Sequence, residues 1–128
     1  MKLSPAMKSY LQTIYFIHIN KKQIHLNEIA TTMCVTKASV NNAIKTLHAE
    51  GLLDYHCYRP IVLTNKGIEL GKRLVENHNI IKKYLLTVLR VNKEEAEEET
   101  NAIEFIISQR VITCFKEQIS LVDKHRFI

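Results

Sequence analysis

The 128-residue sequence predicts a mainly α fold: a winged helix-turn-helix N-terminal domain followed by a helical dimerisation domain. Three observations predict it. Residues 26–47 read as two helices separated only by Cys34-Val35-Thr36, a break too short for antiparallel packing. The second helix must therefore cross the first steeply and protrude. Residues 53–64 then place β-formers on either side of a basic, proline-containing centre, the pattern of a two-stranded hairpin. Beyond the hairpin, apolar residues recur at spacings of three and four almost to the end of the chain. The expected division is residues 1–70 and 71–128, with a long linking helix shared across the boundary.

Each element has a local cause. Ser4-Pro5 supplies an N-cap and a first helical position, and Met7, Tyr10, Leu11, Ile14, Tyr15, Ile17 and His18 form a broad face that ends near Asn20. Gln23 to Leu26 is short enough for one extended segment. Asn27 is the expected cap of the second helix, with Ile29, Ala30 and Met33 buried. Thr36 is the expected cap of the third, whose inward stripe is Val40, Ile44 and Leu47. The hairpin should turn near Cys57 to Pro60, because proline cannot donate to a ladder. Thr64 or Asn65 then caps a helix reaching about Leu89, with Ile68, Leu74, Val75, Ile80, Ile81, Leu85 and Val88 inward. Asn92 caps a helix whose acidic opening, Glu94 to Glu99, suits the positive end of the helix dipole. Its apolar part is expected at Ala102, Ile103, Phe105, Ile106 and Ile107. A last helix carries Val111, Ile112, Phe115, Ile119 and Val122 on one side. These terminal helices expose more apolar surface than one chain can bury, so a symmetric homodimer is expected.

Charge and composition narrow the function. Residues 1–92 hold 13 Lys and Arg against 5 Asp and Glu, whereas residues 93–128 hold 5 against 8. The positive portion includes the protruding helix, as attraction to phosphates requires. A protruding helix of this kind enters the DNA major groove, and its candidates are Thr36, Lys37, Ala38, Ser39, Asn41, Asn42 and Lys45. Asn41 and Asn42 can read base edges, without the sequence choosing between them, while Thr36, Lys37 and Ser39 suit phosphates. Tyr58 and Arg59 would let the hairpin touch the backbone or adjoining minor groove. Double-stranded DNA and a second copy of the chain are therefore the expected partners. An enzyme is not expected, since no nucleophile or glycine-rich phosphate loop accompanies the titratable residues. The alternative is a protein-interaction or nonspecific DNA-architectural module in the same shell.

No secretory leader or membrane partner is expected: Met1 to Pro5 runs straight into an amphipathic pattern, and no apolar run approaches the roughly 18 residues that span a bilayer. Cys34, Cys57 and Cys114 are odd in number, widely spaced and without a C-x-x-C pair, as expected of reduced thiols in the cytoplasm.

Three phrases carry a family resemblance. Pro5-Ala6-Met7-Lys8-Ser9-Tyr10-Leu11-Gln12-Thr13-Ile14-Tyr15, Tyr58-Arg59-Pro60-Ile61-Val62-Leu63-Thr64-Asn65-Lys66-Gly67 and Gly71-Lys72-Arg73-Leu74-Val75-Glu76-Asn77-His78 resemble the diphtheria-toxin-repressor family. The likeness is to its short manganese-transport-regulator branch, without an SH3-like domain. It implies repression by a dimer whose DNA-binding domains are spaced by manganese or iron. Carried over by position, the ligand sites fall on Ser9, Gln12, His78, Asn101, Glu104 and Phe105. Only His78 and Glu104 keep ligand chemistry, and hard divalent cations need several oxygen or imidazole donors. The expectation is a lost dinuclear site and no tightly bound cofactor. Manganese or iron would be left with a residual site at His78 and Glu104, helped by Glu97, Glu98 or another local donor. Lys82 or Lys83 could instead pair with Glu104 and replace the metal structurally.

Overall fold

The computed structural model describes residues 3–20 and 23–125. These form six helices and one two-stranded hairpin: α1 (Pro5–Asn20), α2 (Leu26–Met33), α3 (Lys37–Ala49), β1 (Leu53–Asp54), β2 (Val62–Leu63), α4 (Asn65–Thr87), α5 (Lys93–Ile103) and α6 (Gln109–His125). The chain divides into two compact units, Met1–Leu74 and Val75–Ile128, with the break inside α4.

The first unit is built on α1, which packs against both α2 and α3. Ser4 starts α1 as expected, its hydroxyl accepting from the Met7 amide at 3.2 Å. Leu11 and Ile14 of α1 are fully buried with Ile29 of α2 and Val40, Ile44 and Leu47 of α3. The α2–α3 turn depends on Cys34, which adopts a left-handed conformation (φ 57°). The next amide, Val35, then reaches back to the Ala30 carbonyl at 3.1 Å, closing the end of α2. Asn27 does not cap α2. His25 holds that position, with extended backbone and no side-chain cap, because Ile24 is drawn into a β-bridge with Ile61 and sets the helix start earlier.

The hairpin pairs Leu53 with Leu63 and Asp54 with Val62, so its strands are much shorter than the β-former run of residues 53–64 suggests. Residues between them form the turn. Thr64, not Asn65, caps α4, accepting from the Gly67 amide at 3.1 Å while donating to the Gly51 carbonyl at 2.7 Å. A Cβ on Gly67 would lie 1.9 Å from the Leu52 carbonyl oxygen, so a side chain there is incompatible with this approach of α4 to β1.

In the second unit, Ile81 and Leu85 of α4 bury against Ala96 of α5 and Ile112 of α6, with Tyr84 stacked on Phe115 at 4.0 Å. Asn92 caps α5 through its side chain, whose oxygen accepts from the Glu95 backbone amide at 2.8 Å and whose Nδ2 donates to the Glu95 carboxylate at 3.1 Å. Only part of the expected apolar tail of α5 is helical: Ala102 and Ile103 end the helix, and Phe105, Ile106 and Ile107 lie in the connection to α6. What α5 buries instead is Ala96 and Thr100, the Thr100 hydroxyl turning back to the Ala96 carbonyl at 2.6 Å. Ser108 then caps α6. Asn77 and Gln109 join α4 to the start of α6 by a reciprocal amide pair at 3.0 and 3.2 Å.

Candidate nucleic-acid interface and the His78 cluster

The polar face of α3 follows from its buried one. Val40, Ala43, Ile44 and Leu47 point into the core. At 3.6 residues per turn, Ala38, Asn42 and Lys45 therefore lie on the opposite side, and all three are exposed. Asn41 sits on the flank and is half-buried. Thr36 caps the helix by accepting from the Ser39 amide at 3.1 Å, and its hydroxyl donates to the Ser39 hydroxyl at 2.9 Å. Thr36 is thus spent on starting the helix, while Ser39 keeps a proton to donate outward. Lys37 stands exposed at the same end.

The hairpin turn projects fully. Tyr58 is exposed with a left-handed backbone (φ 65°), and the following Arg59 amide closes the turn on the His56 carbonyl at 3.1 Å. Tyr58 and Arg59 line an open cleft of about 540 Å³ with Tyr55 and with His25 and Asn27 at the start of α2. Tyr55 is close to the turn in sequence, but sequence reasoning did not single out His25 and Asn27, which the Ile24–Ile61 bridge brings toward it. No short-range pattern encodes that pairing. Arg59→Ala is expected to weaken binding to all DNA sequences and to flatten the slope of log affinity against log salt by about one unit. Titrations at several salt concentrations check it, and an unchanged slope removes the hairpin from the interface.

The second unit gathers a different set of charges. His78 on α4 places Nδ1 3.1 and 3.2 Å from the two carboxylate oxygens of Glu104, whose side chain is only 4% exposed. One turn further along α4, Lys82 pairs with Glu97 of α5, and Lys83 pairs with Asp123 of α6 at 3.6 Å. It is His78, then, that faces Glu104, while Lys82 and Lys83 take other carboxylates. The hydrogen bond that His78 donates to Glu104 raises its pKa above the ordinary 6.5, against the opposing effect of burial; Glu97 adds to the rise and Lys82 opposes it. The Lys82 ammonium holds the Glu97 carboxyl below its usual range.

Of the other positions the resemblance makes metal ligands, Ser9, Gln12 and Asn101 are neutral, and Phe105 offers no donor atom. Among the described residues, no group of three or more His, Cys, Asp or Glu side chains is placed to hold a metal ion. Also among them, no helix is long and apolar enough to cross a membrane, and Cys34, Cys57 and Cys114 are free and exposed.

Known families and proteins agree with this architecture. The family described as iron dependent repressor, N-terminal DNA binding domain, matches residues 2–61. That described as iron dependent repressor, metal binding and dimerisation domain, matches residues 64–126. The chain is 33% identical over 115 residues to the HTH-type transcriptional regulator MJ0568 of Methanocaldococcus jannaschii, covering 89% of this chain and 92% of that protein. To the HTH-type transcriptional regulator MntR of Bacillus subtilis strain 168 it is 31% identical over 105 residues, 82% of this chain and 73% of the relative. The solved structure of the manganese regulator SloR superposes with a TM-score of 0.77 at 25% identity, over 92% of this chain. This chain spans about half of SloR's length, 55%. The protein belongs to the iron-dependent repressor family of helix-turn-helix transcriptional regulators, and it is a DNA-binding repressor, not an enzyme.

Proposed function

We propose that this chain is a homodimeric, sequence-specific repressor whose operator binding does not require a divalent metal. The observation that carries the DNA reading is the division of α3 into a wholly buried apolar stripe and an exposed Ala38, Asn42 and Lys45 stripe. This division favours Asn42 over Asn41 as the base reader. Its carboxamide can pair bidentately with adenine, with the Ala38 methyl against a thymine methyl and Lys45 toward guanine or phosphate. Lys37, Ser39, Tyr58 and Arg59 then position the domain on the backbone. Exposed Leu89, Ile106, Val111 and Leu121 in the second unit support pairing of two copies there. The donor set does not fit manganese or iron. His78 and Glu104 satisfy one another, Glu97 is held by Lys82, and the remaining positions lack strong donors. No tightly bound cofactor is expected, and metal binding through His78 and Glu104 should be weak. The proposed location is the cytoplasm.

Selection from a random DNA pool, followed by binding to the winner with chelator or with manganese, tests this. A palindromic site bound with the same Kd in both conditions is the expected result. Binding only with manganese would overturn the metal-free reading, and failure to enrich any sequence would point to an architectural or protein-interaction module instead. Sedimentation should give twice the 14.9 kDa chain mass.

A further inference from the structure

The two charged pairs between α4 and α5 form one arrangement. His78 and Lys82 lie one turn apart on α4; His78 meets Glu104, the residue that ends α5, and Lys82 meets Glu97 within it. The order is reversed on the facing helix: the earlier residue of α4 takes the later one of α5. The helices therefore run antiparallel, and the two rungs fix their register. Beside the Lys82–Glu97 rung lies the apolar cluster of Ile81 and Leu85 with Ala96. The groups also sense one another, since Glu97 raises the His78 pKa and Lys82 lowers it.

Carboxylates brought together on a helix seam repel unless a cation lies among them. We infer that the Lys82 ammonium, with the His78 imidazole, takes the place of a bound cation in the α4–α5 seam, so that this unit assembles with its positive charge covalently attached. The inference rests on the metal-free reading above and extends it to what replaced the ion. A tethered ammonium is always present and cannot be removed by chelation, so the fold of the unit is uncoupled from metal supply. It also explains why Lys82, with side-chain exposure of only 28%, points at the seam when its long stem could place the charge in bulk water.

The test reads thermal melting of the full chain without DNA, so its outcome is separate from that of operator binding. Wild-type protein should melt at the same temperature in chelator and in excess manganese. Lys82→Glu replaces the ammonium by a carboxylate one turn from His78 and facing Glu97. It should melt about 4 °C lower in chelator and recover that loss when manganese is added, because an added ion now has imidazole and carboxylate donors to bridge. Lys83→Glu, which faces Asp123 instead, should lose stability without manganese recovery. Manganese raising the wild-type melting temperature, or leaving Lys82→Glu unrescued, would overturn the inference. Should Lys82→Glu not fold, Lys82→Met and Glu97→Gln provide the second measure. Combined, they should cost no more than either alone, and additive losses would show that no rung exists.

Discussion

Gly67→Ala is expected to destabilise the DNA-binding unit by about 3 kcal/mol, at the upper end of what one inserted methyl does in a packed site. The added carbon would lie 1.9 Å from the Leu52 carbonyl oxygen and 2.9 Å from its carbon. Both are backbone atoms, and they cannot swing aside as a side-chain end would. Relief requires α4 to move away from β1, which breaks the Thr64 links to the Gly51 carbonyl and the Gly67 amide and the Lys66 link to the Glu50 carbonyl at 3.1 Å. Gly51→Ala makes the contrast. That glycine has φ 74° but nothing within 4 Å of a Cβ, so only the left-handed backbone penalty of about 1 kcal/mol applies. Urea unfolding of both variants checks the order. Equal midpoints would mean that α4 and β1 yield more easily than their contact implies.

Glu104→Ala is the second large effect, a loss of about 3 kcal/mol from the second unit. It removes a nearly buried carboxylate and leaves His78, 21% exposed in its side chain, without the acceptor that holds its proton. The pH dependence separates this from simple loss of packing. Folding raises the His78 pKa above 6.5, so the folded state holds the proton more tightly than the unfolded state. The resulting stabilisation is fully present below about pH 6.5 and is lost as pH rises through the raised value. Wild-type stability should therefore fall as pH rises above about 6.5, and Glu104→Ala should flatten that slope as well as lower the curve. Glu104→Gln keeps an acceptor for the imidazole without the charge and should lie between the two. A wild-type curve that rises over this range would show that another group controls it.

Much of this was legible in the sequence because its causes are local. Ser4, Thr36 and Asn92 cap the helices they precede, and the stripe Val40, Ile44, Leu47 is written in spacing alone. The misreadings share a different cause. Asn27 is a good cap by type, but the Ile24–Ile61 bridge, 37 positions apart in sequence, decides where α2 begins. Phe105, Ile106 and Ile107 continue an apolar run, yet α5 stops at Ile103, and no residue type there announces it. The functional surfaces divide in the same way. The α3 candidates are contiguous and were visible as a group, and only the burial of Asn41 relative to Asn42 needed coordinates. The resemblance pointed to His78 and Glu104, but their mutual pairing and that of Lys82 with Glu97 depend on the register of α5 on α4. A register error of one turn would have exchanged the partners, so spacing could not choose among Lys82, Lys83 and His78.

The division of α3 also bears on how such a repressor changes over generations. The residues that hold the helix, Val40, Ala43, Ile44 and Leu47, share no member with those that face outward, Ala38, Asn42 and Lys45. Replacements at exposed helix positions usually change stability by less than about 0.5 kcal/mol. After gene duplication, one copy could drift at these three positions to a new operator while its core stayed under unaltered constraint. New regulatory circuits would then arise from the same scaffold without passing through an unfolded intermediate.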